Sequence, residues 1–556
     1  MKRFLLFVGL WVSSYSYAQD ITLGLLSYNV QQSYQGLTLI YPLNQPTVFL
    51  LNNCGEIVHQ WEDDEDFRPG NTAYLLPDGT LAKTKRGSSI VNDPIWAGGG
   101  GAILELRSWD NDLLWSYELN NDQARLHHDF RVMPNGNMLM ISWELITNED
   151  AIAAGRDSSL LSQSVLWPDF VQEIDPNTDE IVWEWHAWDH LVQDFDSTKA
   201  NYGVVSEAPE RINVNYNTNN GASDWMHCNA IDYNEELDHI MLSVPHFHEI
   251  WIIDHSTTTE EARTSQGGRS NRGGDLLYRV GNPAAYDRQD AGEQIFFNQH
   301  DAHWTNEFVP QTHPDFGKVI FFNNEKPTTN PAQASFSAVE TFEAPWVMYT
   351  LSYERFQGTW PPYELENSIV HPDTFRMHST GLSSAQLLPN GNRLITAGRR
   401  GYTFELTPDN EVVWEYITPR IGTNAAEQGT ILTLNQNLTF RTFRYPLEYE
   451  AFEGRDLSPK GFLEINPVTD WCDRLVSTST PAETFSMVFP NPADNMIHLT
   501  WDSGKIIDIE VFNLAGQRMI HEQGNGGMKY LDISDLTDGI YLITLDGKSP
   551  KRLIKG

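Results

Sequence analysis

Apolar and polar positions alternate along most of this chain in short runs broken by Pro, Asn, Asp and Gly, and a period of two predicts strands rather than helices. One phrase recurs almost unchanged: Leu76-Pro77-Asp78-Gly79-Thr80-Leu81, Met133-Pro134-Asn135-Gly136-Asn137-Met138 and Leu388-Pro389-Asn390-Gly391-Asn392-Arg393-Leu394. Asn-Gly or Asp-Gly after Pro makes a tight turn, so each copy reads as a hairpin. Weaker copies stand at Tyr233-Asn234-Glu235-Glu236, Pro314-Asp315-Phe316-Gly317 and Leu434-Asn435-Gln436-Asn437. A second phrase is an aromatic strand: Leu114-Trp115-Ser116-Tyr117, Val182-Trp183-Glu184-Trp185, Leu277-Tyr278-Arg279-Val280, Val347-Met348-Tyr349 and Val413-Trp414-Glu415-Tyr416. Repeated hairpins with an aromatic signature predict an all-β chain whose main part is a β-propeller of about six blades. A sandwich or a β-helix is the alternative built from the same strands. Long stretches around 186–223, 255–297 and 326–372 interrupt the spacing and read as functional lids or unstructured loops.

The two ends depart from this pattern. Met1-Lys2-Arg3, the apolar run Phe4–Val12 and Ser16-Tyr17-Ala18 predict a secretory signal peptide over 1–18. The apolar run is shorter than the roughly 20 residues a transmembrane helix needs, and no later segment is apolar enough to span a bilayer. Near Ser477-Thr478-Ser479-Thr480-Pro481 the composition becomes linker-like, which divides the chain into a β-propeller at 19–476, a linker at 477–484 and a small C-terminal β-sandwich at 485–556. The net charge of −38, from 37 basic and 75 acidic residues, excludes nucleic acid as a partner, because phosphate binding needs a positive footprint. Of three cysteines, Cys54 and Cys472 bracket the large domain and suit a ring-closing disulfide in an oxidising compartment, leaving Cys228 as a thiol.

The histidines follow the phase of the repeat. His127-His128-Asp129, His227, the pair His300 and His303, and His378 each precede a blade turn, and in a propeller equal phase means equal radius and height. Four blades should therefore bring imidazoles to one mouth of the central channel. Such a cluster can hold a metal, with Asp129 and Asp301 as carboxylate partners, or supply nucleophile and acid–base groups for group transfer. His186, His255 and His371 have no repeat phase. His246-Phe247-His248 reads as one face of a strand, a metal pair or a surface feature.

Asp224-Trp225-Met226-His227-Cys228-Asn229-Ala230, Asn298-Gln299-His300-Asp301-Ala302 and Met377-His378-Ser379-Thr380-Gly381, with Val48–Asn52 and Gly55–Trp61, resemble bacterial PAPS-independent aryl-sulfate sulfotransferases over most of 20–474. That resemblance implies a six-bladed ring that moves a sulfuryl group from a small aryl sulfate donor to a phenolic acceptor through a sulfohistidine, with no soluble cofactor and no metal. It implies His378 as nucleophile and His227 and His300 as its catalytic partners. His128, Asn229, His303, Arg399 and Arg400 are the expected substrate-binding groups. One element of the family pattern is missing: the stretch Lys318–Lys326 holds no arginine, so Lys318, Lys326, Arg399, Arg400, Arg441 or Arg444 must supply that cation. The C-terminal segment, with Pro490-Asn491-Pro492, Gly539-Ile540-Tyr541 and a basic end, resembles the sorting domain of the Bacteroidetes type IX secretion system. This implies passage through the periplasm to the medium or cell surface, with that machinery as partner. A non-catalytic propeller binding glycans or proteins, and a metal-dependent hydrolase using the same histidines, are the rival functions.

Overall fold

The computed structural model describes residues 21–478 except 217–218, 291, 330–332 and 366–367, and, towards the C-terminus, 485–489, 493–501, 507–513, 517–524, 528–545 and 548–555. The expected signal peptide lies outside them, as do Pro490-Asn491-Pro492 and most of the expected linker; the linker's first two residues end a helix, Trp471–Thr478. The chain divides into two units, 1–472 and 473–556.

Unit one is a β-propeller. Six antiparallel sheets of three to five strands follow one another around a ring, and the innermost strands are Thr439–Pro446, Phe67–Leu75, Ala124–Val132, Ala230–Asn234, His300–Trp304 and Ser384–Leu387. Each innermost strand touches that of the next sheet, and the last returns to the first. Consecutive sheets pack face to face. Leu139, Ile141, Trp183 and Trp185 of one sheet meet Ile231, Ile240, Leu242 and Trp251 of the next. Ile320, Phe322 and Val339 meet Ile395, Phe404 and Leu406 in the same way. Burial falls from axis to rim: every residue of His239–Val244 is buried, whereas Leu113–Glu118, at an edge, alternates exposed and half-buried.

The recurring phrase is the hairpin after an innermost strand. In its three clear copies Leu76, Met133 and Leu388 N–H groups bond to the carbonyls of Thr80, Asn137 and Asn392, and Gly79, Gly136 and Gly391 take φ near +87°, +89° and +86°. The weak copies at 233–236 and 314–317 occupy the same place. The copy at 434–437 does not: it precedes the innermost strand Thr439–Pro446, whose sheet neighbour Gly36–Pro42 comes from the other end of the chain, so no hairpin joins them. The aromatic phrase at 347–349 also differs, since Trp346–Val347 pairs with Ser352–Tyr353 in a hairpin of its own.

The ring is closed by both ends of the unit. Gly24–Tyr28 pairs with Val412–Ile417 and Gly36–Pro42 with Thr439–Pro446. Cys54 is disulfide-bonded to Cys472, with Cα atoms 5.4 Å apart. Carboxylates on innermost strands tie each sheet to its successor by accepting a backbone N–H: Asp129 from Ile231, Asp232 from Trp304 and Asp301 from Ala385, at 3.1, 2.8 and 2.9 Å.

Unit two is a small β-sandwich. The sheet Phe485–Phe489, Met496–Trp501 and Met528–Asp532 and the sheet Arg518–Gly524, Ile507–Asn513, Gly539–Leu545 and Lys548–Lys555 enclose Ile497, Leu499, Ile509, Val511, Leu531, Tyr541, Ile543 and Leu553.

Candidate active site

Left-handed backbone marks the entry of the chain into the innermost strands. Asn71, His128, His227, Asn298, Leu382 and Ser383 have φ of +110°, +51°, +58°, +52°, +59° and +91°, a region non-glycine residues avoid and which clusters at functional sites. The strand pairing breaks register there, between Pro69 and Ala73 and between His300 and His303. A bulge of this kind re-aims a side chain that regular pleating would send into the space between sheets. Here it gathers imidazoles. The His128 ring lies 4.5 Å from that of His227, and His227 stacks 4.8 Å from His246. Phe440 is 5.9 Å from His128 and 6.4 Å from His300.

His227 and His246 are each held through Nδ1. His227 Nδ1 donates to Asp224 Oδ2 at 2.6 Å, leaving Nε2 free of that partner. His246 Nδ1 donates to the Asp224 carbonyl at 3.2 Å. His128 Nδ1 is 2.9 Å from His127 Nδ1, and His127 Nε2 stands 2.8 Å from Asp169 Oδ1, close enough for an ion pair though off hydrogen-bond alignment. With its Nε2–H directed towards Asp169, His127 accepts at Nδ1 from His128 Nδ1–H, and the chain Asp169–His127–His128 leaves His128 Nε2 unprotonated. Trp143 stacks on His127 at 3.9 Å. Gly99 seats the His128 ring: any side chain there would fall 2.0 Å from Nε2.

Burial decides the charge states. It pulls His128 well below the ordinary imidazole range, helped by His227 and His127; it takes His300 to about 3 and His246 to about 4. His227 is the exception: burial works against its cation, but the charge and hydrogen bond of Asp224 outweigh it, so its pKa is raised. Within the cluster His227 is therefore the imidazole that most readily holds a second proton.

His300 uses both nitrogens. Nδ1 faces the Asn298 carbonyl and Asn324 Oδ1, and Nε2 accepts from Leu382 N–H at 3.1 Å. It thereby pins the loop that carries His378. His378 follows the short helix Thr374–Met377, is half-buried, and forms no ion pair among the described residues; its Nδ1 is 3.5 Å from Ser337 Oγ. Burial, then Arg400, lowers its pKa. Arg400 Nε donates to the His378 carbonyl at 2.9 Å, and Arg399, beside Gly381, donates to Asn435 while its buried Nε has no partner.

With this geometry in hand, the relatives can be placed. Residues 44–355, more than half the chain, match the family model described as arylsulfotransferase (ASST). The chain belongs to the arylsulfotransferase family. Residues 487–555 match the secretion system C-terminal sorting domain, so the protein is secreted or attached at the cell surface. No curated protein matches the chain. Among solved structures it is similar to a protein of unknown function from Bacteroides caccae, at 9% identity over 74% of this chain and 99% of that one with a TM-score of 0.38. It is also similar to a putative 6-phosphogluconolactonase from Bacteroides fragilis, at 11% identity over 74% and 98% with a TM-score of 0.31. The Dos1 propeller aligns at 9% identity over 72% and 77% with a TM-score of 0.28. Scores this low carry no argument, and the fold rests on the sheets described above.

The arylsulfotransferase match spans His128, His227, Asn229, His300 and His303, while His378, Arg399 and Arg400 lie beyond it. The structure brings His128, His227 and His300 together around the axis and joins His378 to them through Leu382. It separates His303 from the cluster: that residue lines a small cavity of about 20 Å³ with Tyr74, Asp129, Arg131 and Arg441, room for one water. Asn229 is fully buried and ties two sheets through Gln299. Of the cations expected to replace the missing arginine, Lys318 is paired with Asp315, Lys326 with Glu340 and Arg444 with Glu405. Arg441 is clamped by Asp129 and Asp301, whose carboxylates also accept backbone N–H groups of neighbouring sheets. Arg399 and Arg400 stand beside His378. Sequence reasoning missed Asp224, Asp169 and His127 as partners, and it misplaced His246: residues 246–248 form a turn, not a strand face, so His246 faces His227 while His248 Nδ1 accepts from Asn298 N–H.

Proposed function

We propose that this secreted propeller is an aryl-sulfate sulfotransferase that carries a sulfuryl group on a histidine. The supporting observation is the convergence of His128, His227 and His300 from successive sheets, linked to His378 by the His300–Leu382 bond, in a chain of the arylsulfotransferase family. His378 is the nucleophile: unprotonated near neutral pH, its lone pair attacks sulfur, and the bond from sulfur to the aryl oxygen breaks. Arg399 and Arg400 offset the charge on the sulfuryl oxygens. His227, kept protonated by Asp224, gives its proton to the leaving phenolate and takes one back from the incoming phenol. That phenol oxygen then attacks sulfur, the nitrogen–sulfur bond breaks, and His378 is restored. His300 positions the nucleophile's loop.

Incubating the exported chain with a chromogenic aryl sulfate, with and without added phenol, tests this. Phenol-stimulated release should fall at least about 10³-fold in His378→Ala, whose thermal unfolding midpoint should match that of the wild type. A variant retaining a tenth of wild-type turnover excludes His378 as nucleophile. A wild-type chain inert towards all donors and acceptors favours the binding-propeller reading.

A further inference from the structure

Three side chains of metal-ligating type that the sequence did not group together meet at one point. Asp224, His227 and His246 each present a ligand atom, and these atoms lie within 4.8 Å of one another. They come from different segments: Asp224 and His227 from the loop entering Ala230–Asn234, and His246 from the turn between His239–Val244 and Glu249–Asp254. Asp224 is 7% exposed, and its Oδ1 is buried with no hydrogen-bond partner. A buried, unpaired carboxylate oxygen costs free energy unless something positive meets it.

The donor set narrows the ion. Two imidazoles and one carboxylate disfavour calcium and magnesium, which take oxygen ligands, and suit zinc, cobalt, nickel or iron in the divalent state. The surroundings are those of a metal ligand sphere. His246 Nδ1 is anchored on a backbone carbonyl, which fixes its tautomer and leaves Nε2 for an ion. His227 and His246 stack with only 16° between their planes. Trp143, 6.3 Å from His227, and Trp167 beyond it supply an apolar wall, and His128 adds a further nitrogen next to the set. Asp129 and Asp301, the carboxylates adjacent to histidines in sequence, bind Arg441 and backbone N–H groups, and Asp169 faces His127, so Asp224 is the carboxylate that stands with His227 and His246.

We propose that Asp224, His227 and His246 bind one divalent transition-metal ion of the zinc class, two imidazole nitrogens and a carboxylate oxygen forming one face of its coordination sphere and leaving the remaining positions open. The inference does not rest on sulfuryl transfer, because binding is measured with no sulfate ester present. Where both hold, a bound ion withdraws His227 from the leaving phenolate, and transfer falls as the ion fills.

The test uses the untagged exported chain, stripped with chelator, desalted and titrated with Co²⁺. One equivalent should bind with Kd below about 10 μM, give visible d–d absorption bands of low coordination number, and be displaced by Zn²⁺. Asp224→Asn and His246→Gln, which keep the side-chain shapes and are checked for an unchanged unfolding midpoint, should each weaken binding at least about 30-fold. His248→Ala should bind as wild type. Absence of the absorption bands in the wild-type chain overturns the proposal, and so does undiminished binding in both folded variants, which would put the ion elsewhere.

Discussion

Gly99→Ala measures how tightly the fold seats His128. Gly99 has φ of +83°, and an added Cβ would lie 2.0 Å from His128 Nε2 and 2.1 Å from Cε1. The backbone cannot retreat, because the Gly99 carbonyl accepts from His128 N–H at 2.8 Å and from Asn71 Nδ2 at 3.0 Å. A left-handed non-glycine residue costs about 1–2 kcal/mol. Ordinary contact requires about 3.4 Å, so the ring must move by more than 1 Å, and overpacking of that kind costs about 1–3 kcal/mol. The expected loss of stability is about 2–5 kcal/mol. Because His128 packs on His227, the proposed proton donor, a displacement of 1 Å there should also cost about 10²-fold in rate. Gly98→Ala is the control, since nothing lies within 4 Å of its added Cβ. Urea unfolding and phenol-dependent turnover of an aryl sulfate, run on both variants, read the two effects. If Gly99→Ala matches Gly98→Ala in midpoint and keeps turnover within about threefold of wild type, the seating of His128 by Gly99 is wrong.

Three further outcomes follow from buried charge and from ring closure. Burial opposes the His255 cation, but the hydrogen bonds it donates to Asp238 and Glu173 outweigh it and raise its pKa to about 9; its stabilisation is complete below about pH 6.5 and is lost as pH rises through 9. The wild type should lose about 1–3 kcal/mol between pH 6 and pH 9 relative to His255→Gln, read from urea midpoints, and equal slopes would refute the linkage. Arg441→Met strands the carboxylates of Asp129 and Asp301 and should cost about 3–5 kcal/mol in the same assay; a change under about 1 kcal/mol would mean the ion pairs do not hold the ring. Cys54→Ser opens a loop of 418 residues and should lower stability by roughly 2–5 kcal/mol, an effect that reductant reproduces in the wild type and not in the variant.

Short-range chemistry carried the strands into view. Pro-Asn-Gly turns and alternating apolar residues specify hairpins locally, because glycine alone accepts φ near +87° cheaply and because side chains on a strand repeat every two residues. The same reasoning put His128, His227 and His300 in one phase, and export was written in the C-terminal phrases. What the sequence left undecided depends on partners distant along the chain. Closing the ring pairs Gly36–Pro42 with Thr439–Pro446, so the phrase at 434–437 could not be the hairpin it resembled. His303 differs from His300 by three residues, yet a bulge turns one towards Leu382 and the other towards a separate small cavity, and only register decides that. His246 joined the cluster because a turn replaced an expected strand face. Asp224 and Asp169 acquire their roles from burial beside His227 and His127, a low-dielectric neighbourhood assembled from separate sheets. Periodicity fixes which residues face the same way within a strand; which of them meet across the ring is decided by how the sheets close.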